Sequence, residues 1–299
     1  MHNRFLDDRT SRDIDLRIAK VLKDLGNPQP PLRLELVREL LTLDRAYYSA
    51  SDSGALAETI HRLKMAGKQV LLRPALLLDV VKKLDLKALW VPDRKRILID
   101  AELPPAKQRW GEAHEIGHSV LPWHEAVMHG DKKRTLSLAC EQQVEAEANY
   151  AAGRLLFMQE LFAEQLRGSP LDFGHVKKLS GTFGNTMTST LWRAVESVVE
   201  PVFGLVSQHP RHALGEEPLR YFIRSRSFET QFSTVTAQDI FTRLKTICRG
   251  GRGPIGQDEV VFADAVGGNH VFYLETFFNT HDALTLGVYN RVRAVSVSV

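Results

Sequence analysis

The chain has 299 residues, of which 43% are hydrophobic and 25% are charged, and its formal net charge is +3. This ordinary composition allows a sizeable hydrophobic core and excludes a largely disordered chain. The length suggests about two domains. The small net charge gives no ground by itself for nucleic-acid binding. The apolar runs are far shorter than the roughly 20 residues that span a bilayer. The N-terminal segment resembles no signal peptide, and two cysteines make no disulfide framework. We therefore expect a reducing, cytoplasmic location.

The first part of the chain is predicted to be mainly helical. Residues 1–12 are polar, and we expect a flexible tail there, ahead of a helix that begins near Ile14. The further elements predicted here from periodicity and from glycine and proline stops are helices over residues 32–48, 54–67 and 74–85 and a strand over residues 68–72.

A hairpin and two helices are predicted next. Strand-like runs over residues 87–91 and 96–100 are joined by a Pro-Asp pair, which favours a turn. Pro105 suits the first turn of a helix that we expect to run to about Val120. A long helix is predicted over residues 135–166, because "EQQVEAEANYAAGRLLF" contains strong helix formers throughout.

The remainder of the chain is predicted to contain a pair of short helices followed by a region rich in strands. Short helices over residues 173–181 and 187–199, joined by "TFGNT", predict a helix-turn-helix-like segment. After Pro201 one helix is expected over residues 237–247. The strand-like runs of this part cover residues 202–207, 219–225, 259–266, 270–278 and 284–292. We therefore expect a small α/β domain over residues 201–299.

The stretch "HEIGH" carries the clearest chemical signal. On a helix, His114 and His118 stand one turn apart on one face, where two imidazoles can bind one Zn²⁺. Glu115 lies on an adjacent face, suited to act as a general base on water. The motif fixes only three positions, so the alternative is a helix that carries two histidines without a metal. The predicted helix, the close approach allowed by Gly117 and the carboxylate-rich helix that follows favour the metal site.

A catalytic zinc usually has three protein ligands and an open fourth position. A helix packed against the first is the expected source of the third ligand, and "VEAEAN" offers Glu145 and Glu147. Glu145 and Asn149 are four residues apart and share one face, so one can bind zinc while the other hydrogen-bonds a ligand imidazole. Glu147 lies roughly 200° around the helix from Glu145. Both carboxylates cannot bind the same metal from one straight helix.

The segments "KQRWGEAHEIGH" and "EAEANYAAGRLLF" together resemble the ImmA/IrrE family of metallopeptidases. The shared pattern is an Arg-aromatic pair, then HExGH, then an E-x-x-A-N-x-x-A helix that ends in two leucines. The resemblance covers about residues 70–200. It implies a thermolysin-like minimal peptidase fold with Zn²⁺ as cofactor. It also implies His114 and His118 as ligands, Glu145 as the third ligand and Glu115 as the base.

These observations predict an α+β fold. It comprises a mainly helical minimal zincin core with a small three-stranded sheet, a helix-turn-helix-like segment and a C-terminal mixed α/β domain. The expected divisions are a flexible tail (1–12), a zinc peptidase domain (13–168), the helix-turn-helix-like segment (169–200) and the C-terminal domain (201–299). In the radiation-response branch of the family a GAF-like sensor domain holds the last position, and such a domain is one candidate here. The family's usual "LLMP" is "LLFM" in this chain, which leaves the start of the next helix open.

Three further residues are assigned by their proximity to the motif. Asn149 is expected to hydrogen-bond a ligand imidazole without binding the metal itself. His124 and Tyr150 could contact substrate or stabilise an oxyanion, the alternatives being a solvated loop histidine and a core tyrosine. The strand over residues 96–100 is expected to pair with an extended substrate.

The predicted function is that of a cytoplasmic zinc endopeptidase. By resemblance, its protein substrate is a helix-turn-helix repressor whose cleavage switches on stress or mobile-element genes. No membrane partner is expected, and the net charge argues weakly against direct nucleic-acid binding. The alternative is a DNA- or protein-binding regulator with a non-catalytic metal site.

Overall fold

The computed structural model describes residues 3–48, 88–91, 95–124, 138–213 and 217–292. The helices predicted over residues 54–67 and 74–85 and the strand predicted over residues 68–72 lie outside the described residues.

By packing, the chain divides into two compact units. One comprises Leu6–Gln159, and the other comprises Met1–Phe5 with Glu160–Val299. Helices and antiparallel sheet occur in both, and the predicted α+β class is confirmed. The helix-turn-helix-like segment belongs by packing to the same unit as the C-terminal sheet. The functional divisions at residues 168 and 200 stay predictions.

Helix α1 (Asp8–Asp24) begins well before the predicted start near Ile14. The side chain of Asp7 accepts hydrogen bonds from two backbone N–H groups of the first turn and so caps the helix. Asn3 is also buried. The flexible tail predicted over residues 1–12 is therefore wrong from Asn3 onward, because a cap and a buried side chain fix this segment.

In the described part of the chain, three strands form a sheet of order β1-β3-β2 ahead of the motif. Helix α2 (Leu34–Leu41) ends at Thr42, whose φ is 54°, and the chain continues as strand β1 (Asp44–Tyr48). The sequence predicts one helix over this whole stretch, and that prediction is wrong for its last residues. Strand β2 (Ala88–Val91) pairs antiparallel with β3 (Arg96–Asp100), which is the predicted hairpin.

Strand β3 is the central strand of this sheet. It pairs in parallel with β1 on one side and antiparallel with β2 on the other. Its backbone hydrogen-bonding groups are therefore used on both sides, and the prediction that a substrate strand adds to residues 96–100 is wrong. Among the described strands, the edges of this sheet are β1 and β2.

Helices α3 (Pro105–Val120) and α4 (Leu138–Leu156) carry the motif residues. Helix α3 has the predicted bounds, with Pro105 in its first turn. Helix α4 ends earlier than predicted, because Met158 and Gln159 adopt positive φ angles of 52° and 48°. The chain then starts a separate helix, α5 (Glu160–Arg167).

Helices α6 (Phe173–Phe183) and α7 (Met187–Ser197) form the predicted helix-turn-helix-like pair. Gly184 closes α6 in the left-handed conformation, with φ 65°. In α7, Leu191 and Val195 are fully buried in a cluster with side chains of the C-terminal sheet. The apolar face of α7 is therefore used in packing within its own unit.

The C-terminal sheet is antiparallel throughout, with strand order β5-β4-β8-β7-β6. Its strands are β4 (Val202–Ser207), β5 (Leu219–Arg224), β6 (Gly253–Ala263), β7 (Asn269–Phe278) and β8 (Ala283–Val292). Helix α9 (Ala237–Ile247) has the predicted bounds, whereas the short helix α8 (Arg226–Gln231) is not predicted by the sequence.

Aromatic side chains fill the core that α8 and α9 share with this sheet. The buried phenylalanines of this core are Phe203, Phe222, Phe228, Phe232, Phe241 and Phe272. A GAF-like sensor role for residues 201–299 stays a prediction. Within the described part of the chain, no helix is both long and apolar enough to cross a bilayer.

Candidate metal centre

Helix α3 presents two imidazole rings on one face. His114 and His118 lie one turn apart, and their Nε2 atoms are 3.1 Å from each other. His118 is buried, whereas His114 is partly exposed. Two ring nitrogens this close repel unless a proton or a cation lies between them. The geometry thus favours a shared positive charge at this point.

Glu145 of α4 completes a set of three donors. Its Oε2 lies 3.2 Å from Nε2 of His114, and its Oε1 lies 3.5 Å from Nε2 of His118. Ligands held tetrahedrally at about 2.0–2.1 Å from a zinc ion stand roughly 3.3 Å apart. The three donor separations therefore fit a metal ion. Among the described residues, no other group of three such side chains could share one.

The electrostatics of the three donors favour an anionic ligand beside two imidazoles. Burial would raise the pKa of Glu145, but hydrogen bonds with both histidines hold that pKa far below its ordinary value. Burial would lower the pKa of His114, but its hydrogen bond with Glu145 and the charge of Glu115 raise it. Burial lowers the pKa of His118. Glu145 is therefore ionised at neutral pH, and its side chain is half exposed, which leaves one side of the centre open.

Asn149 lies one turn after Glu145 and contacts the far side of the His114 ring. Its Oδ1 is 3.1 Å from Nδ1 of His114. With the amide in this orientation, Nδ1 donates the hydrogen bond, and Nε2 keeps its lone pair toward the centre. The structure thus brings Asn149 to the place that the sequence predicts.

His124 lies behind His118, away from the open side. The side chain is fully buried, and its Nδ1 is 2.9 Å from Nδ1 of His118. Its Nε2 is 2.9 Å from Oε2 of Glu147. Both ring nitrogens are therefore engaged inside the protein, and a contact of His124 with substrate or an oxyanion stays a prediction.

Glu147 faces away from the metal donors, as the helical phase predicts for one of the two carboxylates. Trp123 Nε1 donates to its Oε2 at 2.6 Å, and Gln143 Nε2 donates to its Oε1 at 2.8 Å. Burial would raise the pKa of Glu147, but hydrogen bonds from His124, Trp123 and Gln143 lower it. The residue is buried within this network and remains ionised.

Two glutamates of α3 flank the first histidine. Glu115 is buried next to His114 and stays a predicted general base. Glu112 is also buried and accepts hydrogen bonds from Arg38 Nε at 2.5 Å and from Arg45 Nη1 at 2.9 Å. This ion triad fixes the motif helix to α2 and β1. No local pattern in the sequence signals it, because the partners lie 74 and 67 residues away.

Tyr150 contacts helix α1. Its hydroxyl donates to the carboxylate of Asp15 in α1, at 3.2 Å from each oxygen. Arg154 Nε contacts the same carboxylate at 2.5 Å, and Gln159 Nε2 donates to the Asp15 carbonyl at 2.6 Å. Tyr150 therefore helps to join α1 to α4, and its predicted contact with substrate or an oxyanion stays a prediction.

Comparison with known proteins finds relatives of this part of the chain. Residues 76–189 match the family model described as the IrrE N-terminal-like domain. The radiation response metalloprotease IrrE of Deinococcus radiodurans is 27% identical over 119 residues, which cover 40% of this chain and 33% of that protein. The match thus spans about a third of the relative's length.

A solved structure has a similar fold over almost the whole chain. This structure, a Mycobacterium tuberculosis transcriptional regulator, superposes with a TM-score of 0.53 at 15% sequence identity. The similarity covers 94% of this chain and 90% of that chain. At this identity the likeness shows the fold alone.

Proposed function

Through residues 76–189 this chain belongs to the ImmA/IrrE family, and on that premise we propose that it is a zinc-dependent endopeptidase. One observation carries the proposal. The Nε2 atoms of His114 and His118 and the carboxylate of Glu145 converge at 3.1–3.5 Å on α3 and α4. Two nitrogen donors, one carboxylate and an open side make up the donor set of a hydrolytic zinc site.

When bound, zinc would supply Lewis acidity toward a peptide carbonyl and lower the pKa of a water. The chain's own residues carry the proton transfers. Glu115, next to the ligand His114, accepts the proton of the attacking water at its carboxylate and returns it to the departing amine. Asn149 holds the His114 ring so that Nε2 faces the centre. Because Glu115 is buried, its carboxylate is kept away from bulk solvent.

The proposed substrate is a cytoplasmic helix-turn-helix repressor, which the family resemblance implies. An extended peptide would add to β1 or β2, the edges of the small sheet among its described strands, because the central strand β3 is already paired on both sides. A DNA-reading role for α7 has less support, since the buried Leu191 and Val195 use one face of that helix for packing.

The test compares zinc content and proteolysis in three forms of the full chain. Purified wild type is incubated with a helix-turn-helix repressor as the candidate substrate, and fragments are identified by mass spectrometry. We expect Glu115→Gln to retain about one zinc ion per chain and to lose about 10²–10⁴-fold in cleavage rate. Glu145→Ala should lose both its zinc and its cleavage activity. Full activity of zinc-loaded Glu115→Gln would refute the mechanism, and zinc-free but active wild type would refute the metal site.

A further inference from the structure

We propose that Glu147 and His124 are positioning residues that act in series on the metal ligand His118. Glu147 fixes the tautomer of His124, and His124 in turn fixes the tautomer and the ring orientation of His118. The inference rests on the proposed metal centre, because it concerns how one of its ligands is held. It assigns a role to Glu147, the carboxylate of the "VEAEAN" segment that faces away from the metal donors.

The hydrogen bonds at Glu147 all run toward its carboxylate. An indole Nε1 can only donate, so Oε2 of Glu147 accepts from Trp123 at 2.6 Å. Gln143 Nε2 donates to the other oxygen at 2.8 Å. The carboxylate is thus an acceptor on both oxygens. His124 Nε2, at 2.9 Å from Oε2, must then carry a proton and donate it to Glu147.

The rings of His118 and His124 share one hydrogen bond. Only one proton can lie between Nδ1 of His124 and Nδ1 of His118, which are 2.9 Å apart. When His118 gives the lone pair of Nε2 to a metal, its proton is on Nδ1 and needs an acceptor. His124 provides that acceptor if its own proton is on Nε2, which is where Glu147 holds it.

The hydrogen bond from His118 reaches a carboxylate through one additional imidazole ring, that of His124. Metal-bound histidines usually donate their second ring N–H directly to a carboxylate, a carbonyl or a water. His114 follows that rule with Asn149. For His118 the carboxylate acts through an intervening imidazole that is fully buried. Loss of such an outer partner typically weakens metal binding about 10- to 100-fold.

The first measurement reads the tautomers directly. Full-length protein with ¹⁵N-labelled histidine is loaded with zinc ion, and long-range ¹H–¹⁵N correlation spectra report which nitrogen of each ring is protonated. We expect His118 to bind zinc through Nε2 with its proton on Nδ1, and His124 to carry its proton on Nε2 alone. Zinc on Nδ1 of His118, or a proton on Nδ1 of His124, would overturn the proposal.

The second measurement is zinc affinity by competition with a chelator, with folding checked by circular dichroism. We expect Glu147→Ala to bind zinc about 10- to 100-fold more weakly than wild type. Glu147→Gln keeps an acceptor oxygen for His124 and should recover most of that loss. The matched control is Glu39→Ala, which removes an exposed carboxylate on α2 and should leave the affinity unchanged.

Folded Glu147→Ala that binds zinc within about twofold of wild type would contradict the proposal, as would Glu147→Gln no better than Glu147→Ala. If Glu147→Ala does not fold, the tautomers read from the wild-type spectra still decide the matter. Neither measurement uses cleavage. A protein that holds zinc through this relay but cuts no peptide would refute only the proposed function.

Discussion

Gly117 of α3 lies directly against the backbone carbonyl of Ala148 in α4. A Cβ added to Gly117 would stand 2.8 Å from that oxygen and 3.3 Å from the Cβ of Ala151. The absence of a side chain therefore lets the two helices approach closely enough for His118 and Glu145 to meet. Close packing of the two helices therefore requires a glycine at this position of HEIGH, independently of the chemistry of the neighbouring residues.

Gly117→Ala is expected to destabilise the protein and to weaken zinc binding, because backbone of α4 cannot move aside as a flexible side chain would. Overpacking of this kind costs about 1–3 kcal/mol. Gly153→Ala is the matched control, since it also replaces a helical glycine but a Cβ there meets nothing within 4 Å. That variant should keep or gain stability, by about 0.5–1 kcal/mol. Urea unfolding and zinc competition check both variants, and equal behaviour of the two would contradict the packing argument.

A pH-dependent contribution to stability is expected in the turn between β6 and β7. Asp264 contacts His270 Nε2 at 2.8 Å and accepts from the backbone N–H of Gly268, and these hydrogen bonds lower the pKa of its carboxyl. A carboxyl group whose pKa is lower in the folded protein stabilises the fold at pH values above its unfolded pKa of about 3.9. This stabilisation is lost as the pH falls through the folded pKa. Wild type should therefore exceed Asp264→Asn in stability at pH 7, and the difference should shrink toward pH 3.

Urea unfolding of both proteins between pH 7 and pH 3 tests this expectation. Val266→Ala, at an exposed position in the same turn, is the control and should show no pH-dependent difference from wild type. A difference between wild type and Asp264→Asn that is constant or grows toward low pH would contradict the assignment.

The sequence predicts the parts of the site that depend on local spacing. The bounds of α3 follow from Pro105 at its start, and the shared face of His114 and His118 follows from helical geometry. The phase of α4 excludes simultaneous binding by Glu145 and Glu147, and the structure turns Glu145 toward the two imidazoles. These features need no knowledge of the rest of the chain.

The features that the sequence does not predict depend on tertiary contacts. Residues 44–48 continue an apolar helical pattern, yet they pair with β3, and the left-handed Thr42 ends the helix before them. Nothing in the spacing of Glu147 indicates that Trp123 and His124, more than 20 residues earlier, pack against it. Long-range pairing overrides local preference in both cases.

Glu112→Ala is expected to destabilise the unit that carries the site by about 3–5 kcal/mol, because it leaves two guanidinium groups without their buried acceptor. Glu112 is 6% exposed and accepts from Arg38 and Arg45. Its loss should also loosen α3 and so weaken zinc binding. The control is Asp44→Asn, which removes a more exposed ion pair with Arg96 and should cost less than about 1 kcal/mol. Urea unfolding and chelator competition measure both variants. A cost for Glu112→Ala no greater than that of the control would show that the triad does not hold the motif helix.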